Sequence, residues 1–400
     1  MKIFKYRAMK SDGTKVEGKY ECLSRDEVIN MITSSGYYPL KIEELVESKS
    51  VNFNFFDRVT TKDLSIFCRQ FYTMLDAGVT IVNCLDILSS ELPNRKLREI
   101  LNNISEDVKK GELLSVSMSR FKKYFPQLLI KMVESGEVSG NIDEMMLRMS
   151  IHFEKENKIN NKVKSSMIYP AVLSVVALVA VIFIMTFVVP TFIGIFEDEG
   201  ITLPLITRIT IGISKFLSSN IILITVAVIA LVIAFNAYKK TPNGKRAISN
   251  LKLKLPVIGV LNNKIIVSRF TRTLSTLISA GVSLIHALPT VAGVVDNDLA
   301  EESILKIRER VVRGDNLSSV IKEDNIFPNM LASMVKIGEE SGSLDKILNK
   351  TADFYEDEVE QAIQTATALI EPILIVTMGI AIGVIVISVM LPMFDMYSQM

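Results

Sequence analysis

Polar and apolar positions follow two regimes along this chain. Three runs carry no charge: Ala171 to Phe196, Phe216 to Tyr238 (strongest over Ile221 to Phe235) and Pro372 to Phe394. A bilayer core takes about 20 apolar residues in a helix, and three such runs are hard to bury in a soluble fold, so each predicts a transmembrane helix rather than a core helix. Elsewhere the period is helical and amphipathic. Phe67, Phe71, Met74 and Leu75 fall at i, i+4, i+7 and i+8, one face of a helix. Ala77-Gly78-Val79 then breaks the pattern, as a glycine does where it takes a left-handed cap. Met132-Val133 to Gly136 reads as a second helix stop. Asn141 and Ser343 are expected as N-caps, with Asp143 and Asp345 in the turns they open.

The amphipathic pattern occurs twice. Phe67-x-Arg69 through Ala77-Gly78 returns as Phe270-x-Arg272 through Ala280-Gly281. Gly136-Glu137-x-Ser139-Gly140-x-Ile142-Asp143 returns as Gly338-Glu339-x-Ser341-Gly342-x-Leu344-Asp345. A unit this long is a duplicated domain rather than a solenoid repeat. The start of the chain differs. Phe4 to Met9 and Lys15 to Tyr20 alternate about Asp12-Gly13, a hairpin signal. Ser24 with Glu27 forms a capping box for a helix ending at Gly36, and Tyr38 to Ile42 reads as a return strand. The predicted fold is mainly α: an integral membrane protein with two duplicated cytoplasmic helical bundles, three transmembrane helices and a small N-terminal α+β module.

Charge orients the spans. Lys155, Lys158, Lys162 and Lys164 precede the first, and Lys239, Lys240, Lys245, Arg246, Lys252 and Lys254 follow the second. The connection between them carries Glu197, Asp198 and Glu199 against Arg208 and Lys215. The positive-inside rule then places both copies in the cytoplasm, with the middle span bringing the chain back for the second copy. The acidic flank of the third span does not orient it; the count of crossings does. The expected division is a cytoplasmic module at 1–46, a linker at 47–59, a first bundle at 60–168, spans at 169–196, 220–238 and 372–394, an outer connection at 197–219, a second bundle at 239–371 and an outer tail at 395–400. Met1 to Arg7 lacks an apolar signal core, so the chain is expected to start in the cytoplasm.

Composition narrows the chemistry. Lys plus Arg number 45 against 44 Asp plus Glu, which leaves no basic footprint for nucleic acid. No GxxxxGK[ST] loop is present, and no convincing GxGxxG. His152 and His286 stand at non-equivalent places in the two copies, which excludes a duplicated zinc site or triad; both are expected on helix surfaces. Cys22, Cys68 and Cys84 have no CxxC spacing and are expected as reduced thiols. Thr271 and Ala287 replace Cys68 and Cys84 in the second copy, which favours core packing. The spans hold no internal charge, which counts against a pump or coupled transporter. Gly379 and Gly383 would let another helix approach closely. Arg69/Arg272 and Glu137/Glu339 persist in both copies, as partner contacts or as an Arg–Glu pair or helix-end interaction within each bundle. Glu356 to Glu360, with Glu154 and Glu156 as counterparts, reads as a solvated face or a docking strip, the solvated face being preferred.

The doubled motifs, with Tyr6-x-Ala8, Gly13, Gly18 and Gly36-x-x-Pro39 at the start and Leu203-Pro204-x-x-Thr207 between spans, resemble the type II secretion protein F family over nearly the whole chain. The resemblance implies an inner-membrane platform of a type IV pilus or type II secretion machine, without enzymatic activity or cofactor. It also implies a hexameric assembly ATPase as cytoplasmic partner, pilin or pseudopilin subunits in the membrane and a homo-oligomer; the extracytoplasmic C-terminus follows instead from the count of crossings. Abundant Lys, Asn and Ile without Trp incline the reading toward a pilus. A transporter or channel, or a membrane enzyme built on His152 or Cys84, are the alternatives from other classes.

Overall fold

The computed structural model describes residues 2–9, 15–22, 25–45, 58–192 and 204–399. The chain divides into two compact units, Met1–Arg58 and Val59–Met400.

In the first unit, strand β1 (Lys2–Met9) pairs antiparallel with β2 (Lys15–Cys22) and with β3 (Tyr38–Leu45), giving the order β2-β1-β3. Lys2 faces Cys22 and Met9 faces Lys15, while a register shift at Arg7/Ala8 kinks the pairing with β3. Helix α1 (Arg25–Ser34) lays Val28 and Ile32 on Phe4 and Ala8. The Asp12-Gly13 turn and the Ser24 cap lie outside the described residues, as do 46–57 of the expected linker.

The second unit holds the duplication. Helices α2 (Thr61–Asp76), α3 (Ile81–Glu91), α4 (Arg95–Lys109), α5 (Leu114–Ser119), α6 (Gln127–Ser139) and α7 (Ile142–Ser166) form the first bundle. Thr60 opens α2 with a reciprocal cap: its hydroxyl accepts from Asp63 N–H at 3.2 Å, and its N–H donates to the Asp63 carboxylate at 2.8 Å. Asn94 caps α4 through Leu97 N–H. Past α2, Gly78 takes φ +82° and Val79 N–H reaches back to Met74 O at 2.9 Å, the left-handed six-to-one closure that a Cβ would strain.

Helix α7 passes with little interruption into α8 (Ile168–Phe183) and a π-helical turn at Ile184–Val188, so Ile142–Phe192 forms one 51-residue helix. After the undescribed 193–203 come α9 (Leu205–Ser219) and α10 (Ile221–Tyr238). The second span therefore begins at Ile221. Phe216 belongs to α9, and the chain breaks at Asn220, which leaves helical geometry at φ −120°.

Helix α11 (Pro242–Lys254) leads into the second bundle: α12 (Ile258–Ser279), α13 (Leu284–Val294), α14 (Asp298–Val312), α15 (Leu317–Glu323), α16 (Asn329–Ser341) and α17 (Leu344–Gln399). Asn297 caps α14 as Asn94 caps α4. Residues 395–399, expected as a tail, continue α17, since no Gly or Pro follows Pro392 to stop it. Pro170 and Pro372 occupy the same place in the two long helices, where bundle gives way to apolar span. Among the described residues three helices are long and apolar enough to cross a membrane: Ile142–Phe192, Ile221–Tyr238 and Leu344–Phe394. One continuous apolar core runs through both bundles, with Phe67, Phe71 and Phe125 in the first and Phe270 and Phe327 in the second.

Candidate functional site

The duplicated motif residues separate into packing, capping and pairing. Phe67 and Phe270 are fully buried, Phe67 with ring centroids 5.6 Å from Phe71 and 6.0 Å from Phe125, and Phe270 4.8 Å from Phe327. Ala77-Gly78 and Ala280-Gly281 close their helices; Gly281 has φ +79°. Gly136 does not stop a helix. It sits within α6, which runs on to Ser139, and Gly140 provides the left-handed cap at φ +77°. Gly338 and Gly342 (φ +62°) repeat the arrangement.

A Cβ on Gly136 would stand 2.9 Å from Ile142 Cα, and one on Gly338 3.0 Å from Leu344 Cα. These glycines let α6 and α16 meet the starts of α7 and α17. By contrast, a Cβ on Gly379 or Gly383 meets nothing within 4 Å. Gly136→Ala is therefore expected to destabilise by about 1–3 kcal/mol through overpacking against backbone. Gly383→Ala should leave denaturant unfolding of the detergent-solubilised chain unchanged, and equal effects at the two positions would refute the assignment.

Glu137 and Glu339 do not pair with the motif arginines. Glu137 accepts from Leu114 N–H at 2.5 Å, Ser115 N–H at 3.2 Å and the Ser115 hydroxyl. Glu339 does the same for Leu317, Ser318 and the Ser318 hydroxyl. Each carboxylate thus caps a short helix from another segment, satisfying orphan N–H groups at its positive end. Of the two readings that keep these residues within a bundle, Glu137 and Glu339 make the helix-end interaction and not the Arg–Glu pair, and contact with a partner is untouched by this. Asp143 and Asp345 lie in the first turns of α7 and α17. Asn141 holds the N-cap position of α7 without a side-chain bond, and the Ser343 hydroxyl lies 2.7 Å from that of Ser341.

The two motif arginines part company. Arg69 reaches Glu154 at 2.9 Å with its side chain 45% exposed. Arg272 is 8% exposed and donates to Glu356 at 2.7 Å, to Asp353 and to Asn349. From the first bundle, Lys155 adds contacts to Asp353 at 2.6 Å and Glu356 at 3.0 Å. Lys158 and Lys162 reach Glu360, and Arg269 stands 3.7 Å from Glu156. Lysines at 155, 158 and 162 on α7 thus meet carboxylates at 353, 356 and 360 on α17, an ionic seam between the two copies. Ser135 adds a hydroxyl bond to Ala280 O at 2.8 Å.

The acidic strip of α17 is accordingly a docking strip for the same chain at Glu356, Glu358 and Glu360, where a solvated face was expected; Lys264 holds Glu358 at 2.5 Å. On the open side of the seam a groove of about 500 Å³ runs between Ile151 and Ile159 of α7 and Val359 and Ile363 of α17.

His152 is also unlike its expectation. It is buried within the seam, 5% exposed, and its Nδ1 has no hydrogen-bond partner. Burial, reinforced by the charges of Arg272 and Arg269, lowers its pKa to about 4. Burial raises the Glu156 carboxyl above its ordinary value, against the pull of Arg269. For Arg272 burial opposes the charge, but its bonds to Glu356 and Asp353 outweigh that and raise its pKa. Cys68 and Cys84 are buried in the first core, and burial raises both thiols. His286 lies exposed on α13.

Asn349 and Asp353 were not singled out in the sequence, and Lys155 only as a cation orienting the first span. The matching spacing of cations and carboxylates on two long helices was the available signal. The model of the type II secretion system protein F domain matches residues 67–190 and again 270–392, and the model of that protein's N-terminal domain matches 1–43.

The chain belongs to the type II secretion system protein F family.

Similarity to individual family members extends over whole chains. The type IV pilus assembly protein PilC of Thermus thermophilus is 38% identical, covering 100% of this chain and 99% of its own. PilC of Myxococcus xanthus is 33% identical over 98% of this chain and 94% of its own. Type II secretion system protein F of Vibrio cholerae is 28% identical over the full length of both. In the protein F family frame, matches at 67–190 and 270–392 each take in one bundle and the long helix leaving it.

Proposed function

We propose that this chain is a non-enzymatic inner-membrane platform for type IV pilus assembly, coupling a cytoplasmic assembly ATPase to insertion of pilin subunits into the fibre. One observation carries the reading: two family domains, each a helical bundle continued into a membrane-spanning helix, are fastened to one another by the seam of Lys155, Arg272, Asp353 and Glu356. Work done on either bundle is thereby delivered to two spans together. The lysines before the first span and after the second favour bundles on the cytoplasmic side, where a hexameric ATPase would meet them. The apolar spans suit contact with the apolar helices of pilins, and the open face at Gly379 and Gly383 suits association with another helix, in a homo-oligomer or with a pilin.

The full-length likeness to the Vibrio cholerae secretion protein favours, as a second reading, the platform of a type II secretion machine with pseudopilins in place of pilins. Deleting the chain separates them. Cells without it are expected to keep pilin in the membrane and to build no fibres, as seen by electron microscopy and shear fractionation. Normal fibres in such cells would overturn the pilus assignment, and loss of a secreted enzyme instead would support the second reading.

A further inference from the structure

Helix α9 has its polarity inside out. Its buried positions are Thr207, Thr210 and Ser214, each 4% exposed or less, while Leu205, Ile206, Ile209, Ile213 and Phe216 are 45–71% exposed. The hydroxyls are occupied. Thr207 Oγ donates to Ser388 O on α17 at 2.7 Å, Ser214 Oγ to Met185 O in the π-helical turn at 2.5 Å, and Thr210 Oγ to its own helix at Ile206 O. Ile211 packs on Val189 and Ile385 between them.

A helix in water turns its polar residues outward. Helices in lipid pack through small and hydroxyl-bearing residues and turn apolar ones outward, because the membrane offers those no penalty.

Depth agrees with this. Thr207 shares a small cavity with Phe192 and Val189, and Ser214 meets Met185. Seven residues along α9 thus retrace seven residues of the first span in the opposite sense, about 10 Å of descent. Met185 lies 14 residues beyond Ala171 and 11 before Phe196, inside the uncharged run. Phe183 and Phe187 on the first span and Ile387 on the third are exposed to the same degree, at 52–66%. Arg208 and Lys215 are both exposed and seven residues apart on one stripe, and long stems carry such charges to water from shallow depth.

We propose that α9 is a membrane-embedded helix that re-enters the outer part of the bilayer. Its face at Ile209, Ile213 and Phe216 contacts lipid acyl chains, and its hydroxyl face clasps the first and third spans. At 15 residues it is too short to cross.

The test uses the full chain carrying Cys22→Ser, Cys68→Thr and Cys84→Ala, the last two being the residues of the second copy. Single thiols are introduced as Ile209→Cys, Ile213→Cys or, as a water-exposed reference, Lys346→Cys. Each is labelled with an environment-sensitive dye and reconstituted in phosphatidylethanolamine–phosphatidylglycerol vesicles. Labels at 209 and 213 are expected to emit to the blue of the reference, to be quenched by doxyl groups on acyl chains, and to be several-fold less quenched by iodide. Iodide quenching equal to the reference would overturn the proposal. So would protection from both quenchers, because a second copy would then cover the face. Neither outcome touches the pilus reading, which rests on other measurements.

Discussion

Arg272→Met is expected to lower the unfolding free energy by about 3–5 kcal/mol, the range for removing one partner of a buried ion pair. Arg69→Met, at the equivalent motif position, should cost less than about 1 kcal/mol, as exposed pairs do. The difference is environmental. Arg69 faces one carboxylate with its side chain 45% exposed, whereas Arg272 is buried against Glu356, Asp353 and Asn349. Without Arg272 two carboxylates remain beside Lys155 alone. A triple variant, Arg272→Met with Asp353→Asn and Glu356→Gln, removes the stranded charges and should recover much of the loss. Denaturant unfolding of the detergent-solubilised chain, followed by circular dichroism, measures all three. Equal losses at Arg69 and Arg272 would show that the seam is not a closed ionic contact.

Acidification should weaken the same seam through His152. Its folded pKa is about 4, against about 6.5 for an unperturbed histidine. Between those values the unfolded chain binds the proton and the folded chain does not. The contribution is therefore whole above about pH 6.5 and is lost as pH falls toward 4. Lowering pH from 7 to 5 removes roughly 2 kcal/mol by this group. Arg272 and Arg269 on α12 oppose protonation, and Glu156 on its own helix stands 3.9 Å from Nε2. His152→Phe, giving the residue type of its counterpart Phe354, should flatten this part of the pH profile. A wild-type minus variant difference that stays constant from pH 7 to 5 would refute the assignment.

What could be read in the sequence were features with local causes. Uncharged runs mark the spans because the bilayer demands them, and Gly78 and Gly281 mark helix ends because their backbone goes left-handed. Duplication exposed the motif set, and matching places for Phe67 and Phe270 follow from a shared core. What stayed hidden depends on distant partners. Lys155 and Asp353 are 198 residues apart, so a strip that looks solvated in one copy turns out to face the other. Glu137 could be recognised as a helix-end group but not assigned to α5, 22 residues earlier. Gly136 looked like a stop because its crowding comes from Ile142 after the next turn. Helix α9 was read as a connection because two charges and five hydroxyl groups hide an apolar face among polar letters.

Each bundle is carried on a continuous helix of 51 residues up to the end of its apolar run, about 75 Å of rod. Such a rod resists compression and twisting, so axial load or torque applied at the bundle arrives at the span. Sideways compliance is concentrated where a proline removes a backbone bond, and Pro170 and Pro372 put that point at the same height on both rods. The pair therefore behaves as two shafts with aligned joints, bolted together below the joints by lysine–carboxylate contacts and held again above them where Val189 packs on Ile385.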